Sequence, residues 1–215
     1  MFIKQNKFKK FLVVFLTGMI AQLALAMTVQ AKDAYTIKNG ELQRPTGYRE
    51  WIYVGTPVTP NDMNNGKAAF PELHNVYIDP KSWAYWKNNG EFRDGTILIK
   101  ELVSVGSKAA VSGQGYFMGE FVGLEATIKS KTLFPSEPGH WGYYSFSSKD
   151  HKTLSNAAKP FPTASCNGCH QVSAADDFVF TQYYPVLTAG KGTGKEASGG
   201  YLSDLKNHYV EPKGK

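Results

Sequence analysis

The chain has 215 residues, 24 Lys and Arg against 18 Asp and Glu, and a formal charge of +6 at pH 7. Four of the positive charges, Lys4, Lys7, Lys9 and Lys10, fall in a segment that reads as discarded; removing these four takes +6 to +2, which excludes a nucleic-acid-binding chain. The length suffices to bury a core without disulfide staples, so residues 27–215 are expected to form one domain.

Residues 1–26 read as a secretory signal. The lysines form a basic start, Phe11 to Ala26 is apolar apart from Thr17, Gly18 and Gln22, and Ala24 and Ala26 suit cleavage before Met27. A second cleavage position follows Ala31 in "VQA". The alternative is an uncleaved anchor, because the apolar run approaches the lower limit for a spanning helix. Nothing after it is apolar for long enough to cross a membrane, so an exported protein with no membrane partner after cleavage is expected.

Strands are expected from runs of β-branched and aromatic residues between turn clusters. In chain order these are "EWIYVGT" (Glu50 to Thr56), "HNVYI" (His74 to Ile78), "TILIKELV" (Thr96 to Val103), "GYFMGEFVGLEATIK" (Gly115 to Lys129), "WGYYSF" (Trp141 to Phe146) and "FVFTQYYPVL" (Phe178 to Leu187). They point to a mainly β fold built on an antiparallel sheet. "PKSWAYWKNNG" (Pro80 to Gly90), with its early proline and glycine stop, predicts a short helix. A second helix is expected after the cysteines and a terminal one over "YLSDLKNHYV" (Tyr201 to Val210).

Residues 56–72, "TPVTPNDMNNGKAAFPE", form a loop long enough to be a candidate binding loop or flap. "AGKGTGKEASGG" (Ala189 to Gly200) reads as a flexible tail. Its "GTGK" is no phosphate loop, since Glu196 replaces the magnesium-binding Ser or Thr and Ala189 replaces the first glycine.

The only two cysteines stand in "TASCNGCHQ" (Thr163 to Gln171), with a histidine directly behind them. Cys-x-x-Cys-His is the attachment signature of c-type haem: both thiols add to the vinyl groups and the next residue sets its imidazole under the iron. Cys166 and Cys169 are therefore candidate thioether residues, His170 is the candidate iron ligand, and one covalently bound haem c is expected. The alternatives are a zinc site completed by distant histidines, a thioredoxin-like pair, for which no βαβ pattern is found, and a plain disulfide of an exported protein. No methionine follows Met118 to act as the axial ligand of a small electron-transfer cytochrome. The strand runs and glycines also argue against a four-helix cytochrome.

That combination, together with "YREWIYVGT" (Tyr48 to Thr56), "FPELHNVYIDP" (Phe70 to Pro80), "FRDGTILIKEL" (Phe92 to Leu102), "SCNGCH" (Ser165 to His170) and "DDFVFTQYYPVL" (Asp176 to Leu187), resembles the cytochrome P-460 family and its relative, cytochrome c prime beta. The resemblance implies a mainly antiparallel β fold, a homodimer, a periplasmic location and one five-coordinate c-type haem. It also implies oxidation of hydroxylamine to nitrous oxide or nitric oxide, with the electrons passed to an electron-accepting cytochrome.

Alternation in "TILIKELV" puts Ile97, Ile99, Glu101 and Val103 on one face and Thr96, Leu98, Lys100 and Leu102 on the other. Lys100 thus lies between two leucines, where desolvation favours the neutral, nucleophilic amine. The alternative is a lysine snorkelling to solvent from an edge strand. The resemblance places at Lys100 the lysine that bonds covalently to the porphyrin edge, which makes it a candidate catalytic and cofactor-binding residue.

Hydroxylamine oxidation releases protons and calls for a base. The resemblance implies a distal carboxylate shortly before the motif, but "AAKPFPTAS" (Ala157 to Ser165) holds no acid; Asp150, Glu101, Glu120 and Glu125 are the acids that could approach the haem instead. The runner-up function is a nitric oxide or carbon monoxide binder without turnover, with Phe70, Phe92, Phe134 and Phe161 available for an aromatic pocket. A third, an electron shuttle, needs a sixth ligand from Met118, His74, His140 or His208.

Overall fold

The computed structural model describes residues 33–194. The expected signal, both cleavage positions, the expected helix at Tyr201 to Val210, His208 and the tail from residue 195 onward lie outside the described residues. In chain order the elements are β1 (Ile37–Lys38), β2 (Glu41–Gln43), β3 (Ile52–Gly55), β4 (Leu73–Ile78), α1 (Pro80–Asn89), β5 (Ile97–Val105), β6 (Ala109–Ala110), β7 (Gly113–Gln114), β8 (Met118–Lys129), β9 (Trp141–Ser145), β10 (Ala157–Ala158), α2 (Thr163–Ser173) and α3 (Pro185–Gly190). The fold is mainly β, every strand pairing is antiparallel, and the described helices are short. None of them is long and apolar enough to cross a membrane.

The main sheet has the order β3-β4-β5-β8-β9, and a smaller one has the order β1-β2-β10. Five of the six expected runs supply the main sheet. Because β5 is its middle strand, alternating residues bury on both faces. Ile97 and Ile99 join Leu124, Ala126, Ile128, Tyr144 and Phe146 on one face, closed over by Leu42 of β2 and Ala158 of β10. Leu98 joins Val76, Ile78, Trp141 and Tyr143 on the other, where Trp86 of α1, Val179 and Leu187 complete the layer. Each fully buried aliphatic side chain contributes about 1.5–3 kcal/mol relative to exposure.

Helix α1 begins where Asp79 accepts a hydrogen bond from the Ser82 amide at 2.9 Å, with Pro80 in the first turn. The other Asp79 oxygen accepts from the Ile97 amide at 3.2 Å, so one carboxylate caps the helix and fastens it to β5. Gly90 stops the helix in left-handed backbone at φ 69°. Trp86 stacks on Phe92 with centroids 4.3 Å apart and donates from its indole to the Leu187 carbonyl at 2.8 Å.

Three expectations are corrected. The run Phe178 to Leu187 forms no strand: Asp177 and Phe178 take φ of 43° and 63°, Pro185 has no amide to donate, and the segment makes a short 3-10 turn followed by α3. Helix α2 contains the cysteine motif instead of following it. The start of the supposed flexible tail is docked, since the Gly192 and Gly194 amides donate to the Trp86 and Lys87 carbonyls at 3.2 and 2.8 Å.

The long 56–72 loop is fastened as well. Asp62 accepts from Lys108 Nζ at 2.6 Å and from the Tyr116 hydroxyl at 3.1 Å.

Candidate functional site

On helix α2, Cys166, Cys169 and His170 have the i, i+3, i+4 spacing that gathers side chains on one face. The helix lies at a boundary: Cys169 is exposed, Cys166 and His170 are half-buried, and Asn167 is buried. Asn167 Nδ2 donates to Glu137 Oε2 at 2.9 Å and, more weakly, to the Trp141 carbonyl at 3.4 Å. The Thr163 hydroxyl donates to the other Glu137 oxygen at 2.6 Å. One carboxylate therefore clamps the first turns of the motif helix to the end of the sheet.

His170 Nδ1 donates to the Phe178 carbonyl at 2.7 Å, which fixes the tautomer and leaves the Nε2 lone pair free to bind a metal. Its ring lies between Tyr143 and Phe180, with centroids 4.6 and 4.7 Å away. Burial pulls the His170 pKa below its ordinary value; the Phe178 hydrogen bond and the Glu125 charge oppose this, and the Lys100 charge adds to it. Phe178 reaches the imidazole from left-handed backbone that costs a bulky residue about 1–3 kcal/mol. The neighbouring Asp177 is held by an ion pair with Lys129 and by Trp141 Nε1 at 3.3 Å.

Lys100 points to the same face of the sheet. It stands directly across from Glu125 in the β5–β8 register, and its Nζ is 2.6 Å from Glu125 Oε2, with each side chain 27% exposed. The Phe70 ring, 55% exposed, lies 5.3 Å from Nζ. The charges of both Lys100 and Glu125 act on Cys166 and on His170. At Cys166 the main effect is burial, which pushes the thiol pKa up; Glu125 adds to this and Lys100 opposes it. Two features of Lys100 differ from the sequence expectation. It lies on the central strand, so it does not snorkel from an edge, and the antiparallel register gives it a carboxylate partner instead of leaving it alone between leucines.

Of the four candidate acids, only Glu125 stands beside the motif. Glu101 is buried on the opposite face, where it accepts from the Tyr48 hydroxyl at 2.7 Å, Arg49 Nε at 2.8 Å and Asn75 Nδ2 at 3.3 Å. Glu120 and Asp150 are exposed, and Asp150 accepts from the Ser148 hydroxyl at 2.6 Å. Among the four aromatic candidates, Phe92 and Phe134 are core residues, Phe161 is exposed just before α2, and Phe70 covers Lys100. Met118 faces Asn75 at 3.9 Å on the Glu101 side of the sheet, and His140 Nδ1 is bound to the Phe134 carbonyl at 3.0 Å.

The donor set fits a c-type haem. Cys166 and Cys169 are unbridged thiols, and His170 presents a free Nε2 beside them. The buried Tyr143 hydroxyl next to His170 has no hydrogen-bond partner. Among the described residues, no group of three or more His, Cys, Asp and Glu side chains is arranged to hold a metal ion by itself, as the zinc alternative requires.

Sequence reasoning missed Glu137, Asn167, Asp177 and the Phe178 carbonyl. Asn167 was visible inside the motif, but its partner is set by the turn before β9, and a backbone carbonyl has no sequence signal.

No curated protein matches this chain. The family model for cytochrome P460 matches residues 45–181, more than half of the chain, including β3 to β10, Lys100, Glu125 and the whole of α2. This protein therefore belongs to the cytochrome P460 family of haem-binding cytochromes.

Proposed function

We propose that this chain is an exported, periplasmic cytochrome in which one haem c is joined through Cys166 and Cys169, ligated by His170 and cross-linked to Lys100, and that it oxidises hydroxylamine to nitrous oxide or nitric oxide. Held by these residues, a haem would supply an iron able to bind a small nitrogen ligand and to carry one electron. The observation that carries the reading is the Lys100–Glu125 pair, 2.6 Å apart and within electrostatic reach of both Cys166 and His170.

Glu125 serves two purposes in this scheme. Lys100 must lose a proton before its amine can bond to carbon, and Glu125 is in contact to take it. A bond from Lys100 to a porphyrin carbon would replace one N–H and one C–H and would require a two-electron oxidant of the peroxide class to take the electrons. Once the amine is consumed and Glu125 has passed that proton on to solvent, its carboxylate is left as a base at the site.

In the proposed reaction, two hydroxylamines give one nitrous oxide and one water and release four protons and four electrons. The nitric oxide route releases three of each per hydroxylamine. Glu125 receives protons, and an electron-accepting cytochrome receives electrons. The Phe178 carbonyl keeps His170 electron-rich, which favours the oxidised state between turnovers. The signal-like start supports export, and the family resemblance supports a homodimer.

A second reading, a nitric oxide or carbon monoxide binder without turnover, is favoured by Phe70, an aromatic cover over the site. The test mixes the haem-loaded protein with hydroxylamine and an electron-accepting dye. Steady dye reduction is expected; saturable binding without reduction overturns the oxidation and leaves the gas binder.

A further inference from the structure

His74 of β4 is a half-buried titratable group that the scheme above does not use. It stands across from Leu102, on the same face as Lys100, and its ring meets Phe70 edge to face with centroids 6.1 Å apart. Its side chain is 15% exposed, and that of Glu72 is 20% exposed. His74 Nε2 and Glu72 Oε2 face each other at 3.9 Å, too long for a direct hydrogen bond, and both atoms are buried with no hydrogen-bond partner. Two buried polar atoms left unsatisfied side by side make an incomplete site, since each such group costs about 1–3 kcal/mol. One small protic molecule with an atom about 2.8 Å from each would complete both.

The position of this gap gives it a role. The Lys100 charge acts on His74 as it does on Cys166 and His170, so the gap and the motif flank the same lysine. The charged or titratable groups shown facing His74 are Lys100 on β5 and Glu72 just before β4; Phe70 supplies an apolar wall.

We infer that His74, backed by Glu72, is the acceptor that takes the proton from a protic ligand as it enters the haem site. The inference rests on the haem assignment proposed above. The proton passes to Nε2, the electron pair of the broken bond stays on the ligand, and the Glu72 carboxylate holds the imidazolium so formed. Burial first, and the Lys100 charge second, bring the His74 pKa down to about 4, so it meets the ligand as a neutral acceptor near pH 7. Glu125 lies on the far side of Lys100 and remains the base for the protons released later.

The test uses potassium cyanide, which near neutral pH is present as hydrogen cyanide and must shed its proton to bind ferric haem. Stopped-flow mixing with the haem-loaded ferric protein is expected to show association slowed at least about tenfold in His74→Gln and severalfold in Glu72→Gln. Unchanged association in both variants overturns the inference. A low-spin ferric spectrum that becomes high-spin in His74→Gln also overturns it, because His74 would then be an iron ligand. Should His74→Gln fail to take up haem, Glu72→Gln decides alone: slowed association supports the inference and the wild-type rate overturns it. A wild-type protein that depends on His74 for cyanide uptake, yet passes no electrons from hydroxylamine to a dye, supports the acceptor and overturns the oxidation.

Discussion

The imidazole of His170 is aimed by Phe178, whose carbonyl accepts from Nδ1 at 2.7 Å while its own backbone sits at φ 63°. The contact is made by a strained segment that Asp177 pins to Lys129 and Trp141, so proximal geometry is set by the junction after α2 as well as by the motif.

Asp177→Ala removes both pins and lets the Phe178 carbonyl drift. A weaker hydrogen bond makes His170 a poorer donor and destabilises the oxidised state by on the order of 1 kcal/mol. A reduction potential raised by tens of millivolts in a potentiometric titration is the expected result; an unchanged potential means that α2 alone positions the histidine.

Lys100→Arg keeps a cation opposite Glu125 but offers no nucleophilic amine. The haem should stay attached through Cys166 and Cys169, its Soret band should be that of an ordinary c-type haem where a lysine-bonded porphyrin would absorb further to the red, and hydroxylamine oxidation should be lost. Turnover at the wild-type rate in this variant would sink the cross-link.

Glu125→Gln removes the carboxylate and keeps its shape. In molecules whose spectrum shows the Lys100 bond formed, hydroxylamine should still bind, and kcat should fall by about a hundredfold, the lower end for a lost general base. Equal losses in binding and kcat, measured by optical titration and dye reduction, would instead mean that Glu125 only shapes the pocket.

Asn167→Ala deletes the bond to Glu137 and leaves a half-buried carboxylate oxygen short of a donor. The expected penalty is about 1–3 kcal/mol, seen as a lower Tm, together with less covalently attached haem on denaturing gels. Full attachment at wild-type stability would show that the clamp is dispensable.

His74 gives stability a pH dependence of definite sign. Its folded pKa of about 4 lies below the ordinary histidine value of about 6.5, so the unfolded chain binds the extra proton first as pH falls. Stability linked to His74 is complete above about pH 6.5 and declines toward pH 4, by at most about 3 kcal/mol. Urea unfolding at pH 7 and pH 4.5 should show a smaller difference between the two pH values in His74→Gln than in the wild type.

Much of the main sheet was legible because its strands alternate in the usual way. The separation of Lys100 from Glu101 followed from period two alone, and β5, buried on both faces, kept to it. Glu125 could not be chosen over the other acids from sequence, because only the β5–β8 register sets it against Lys100. The last apolar run misled for a different reason: Val179 and Leu187 are buried as a strand's residues would be, but Pro185 and the left-handed backbone at Asp177 and Phe178 turn the chain away from any ladder. The His74–Glu72 gap was hidden, since those residues are two apart and meet only through the bend into β4.

The two faces of the main sheet mature at different points along the chain. One is closed by residues between Ala34 and Ala158 alone, whereas the other is finished only by Cys166, Val179 and Leu187. A nascent or haem-free chain therefore has a complete hydrophobic half before its motif helix docks. The motif segment forms the weaker cooperative unit, and amide exchange in the haem-free protein should open α2 well before β5 and β8. Attachment of the cofactor would then be the step that locks a prebuilt platform, not the event that nucleates it.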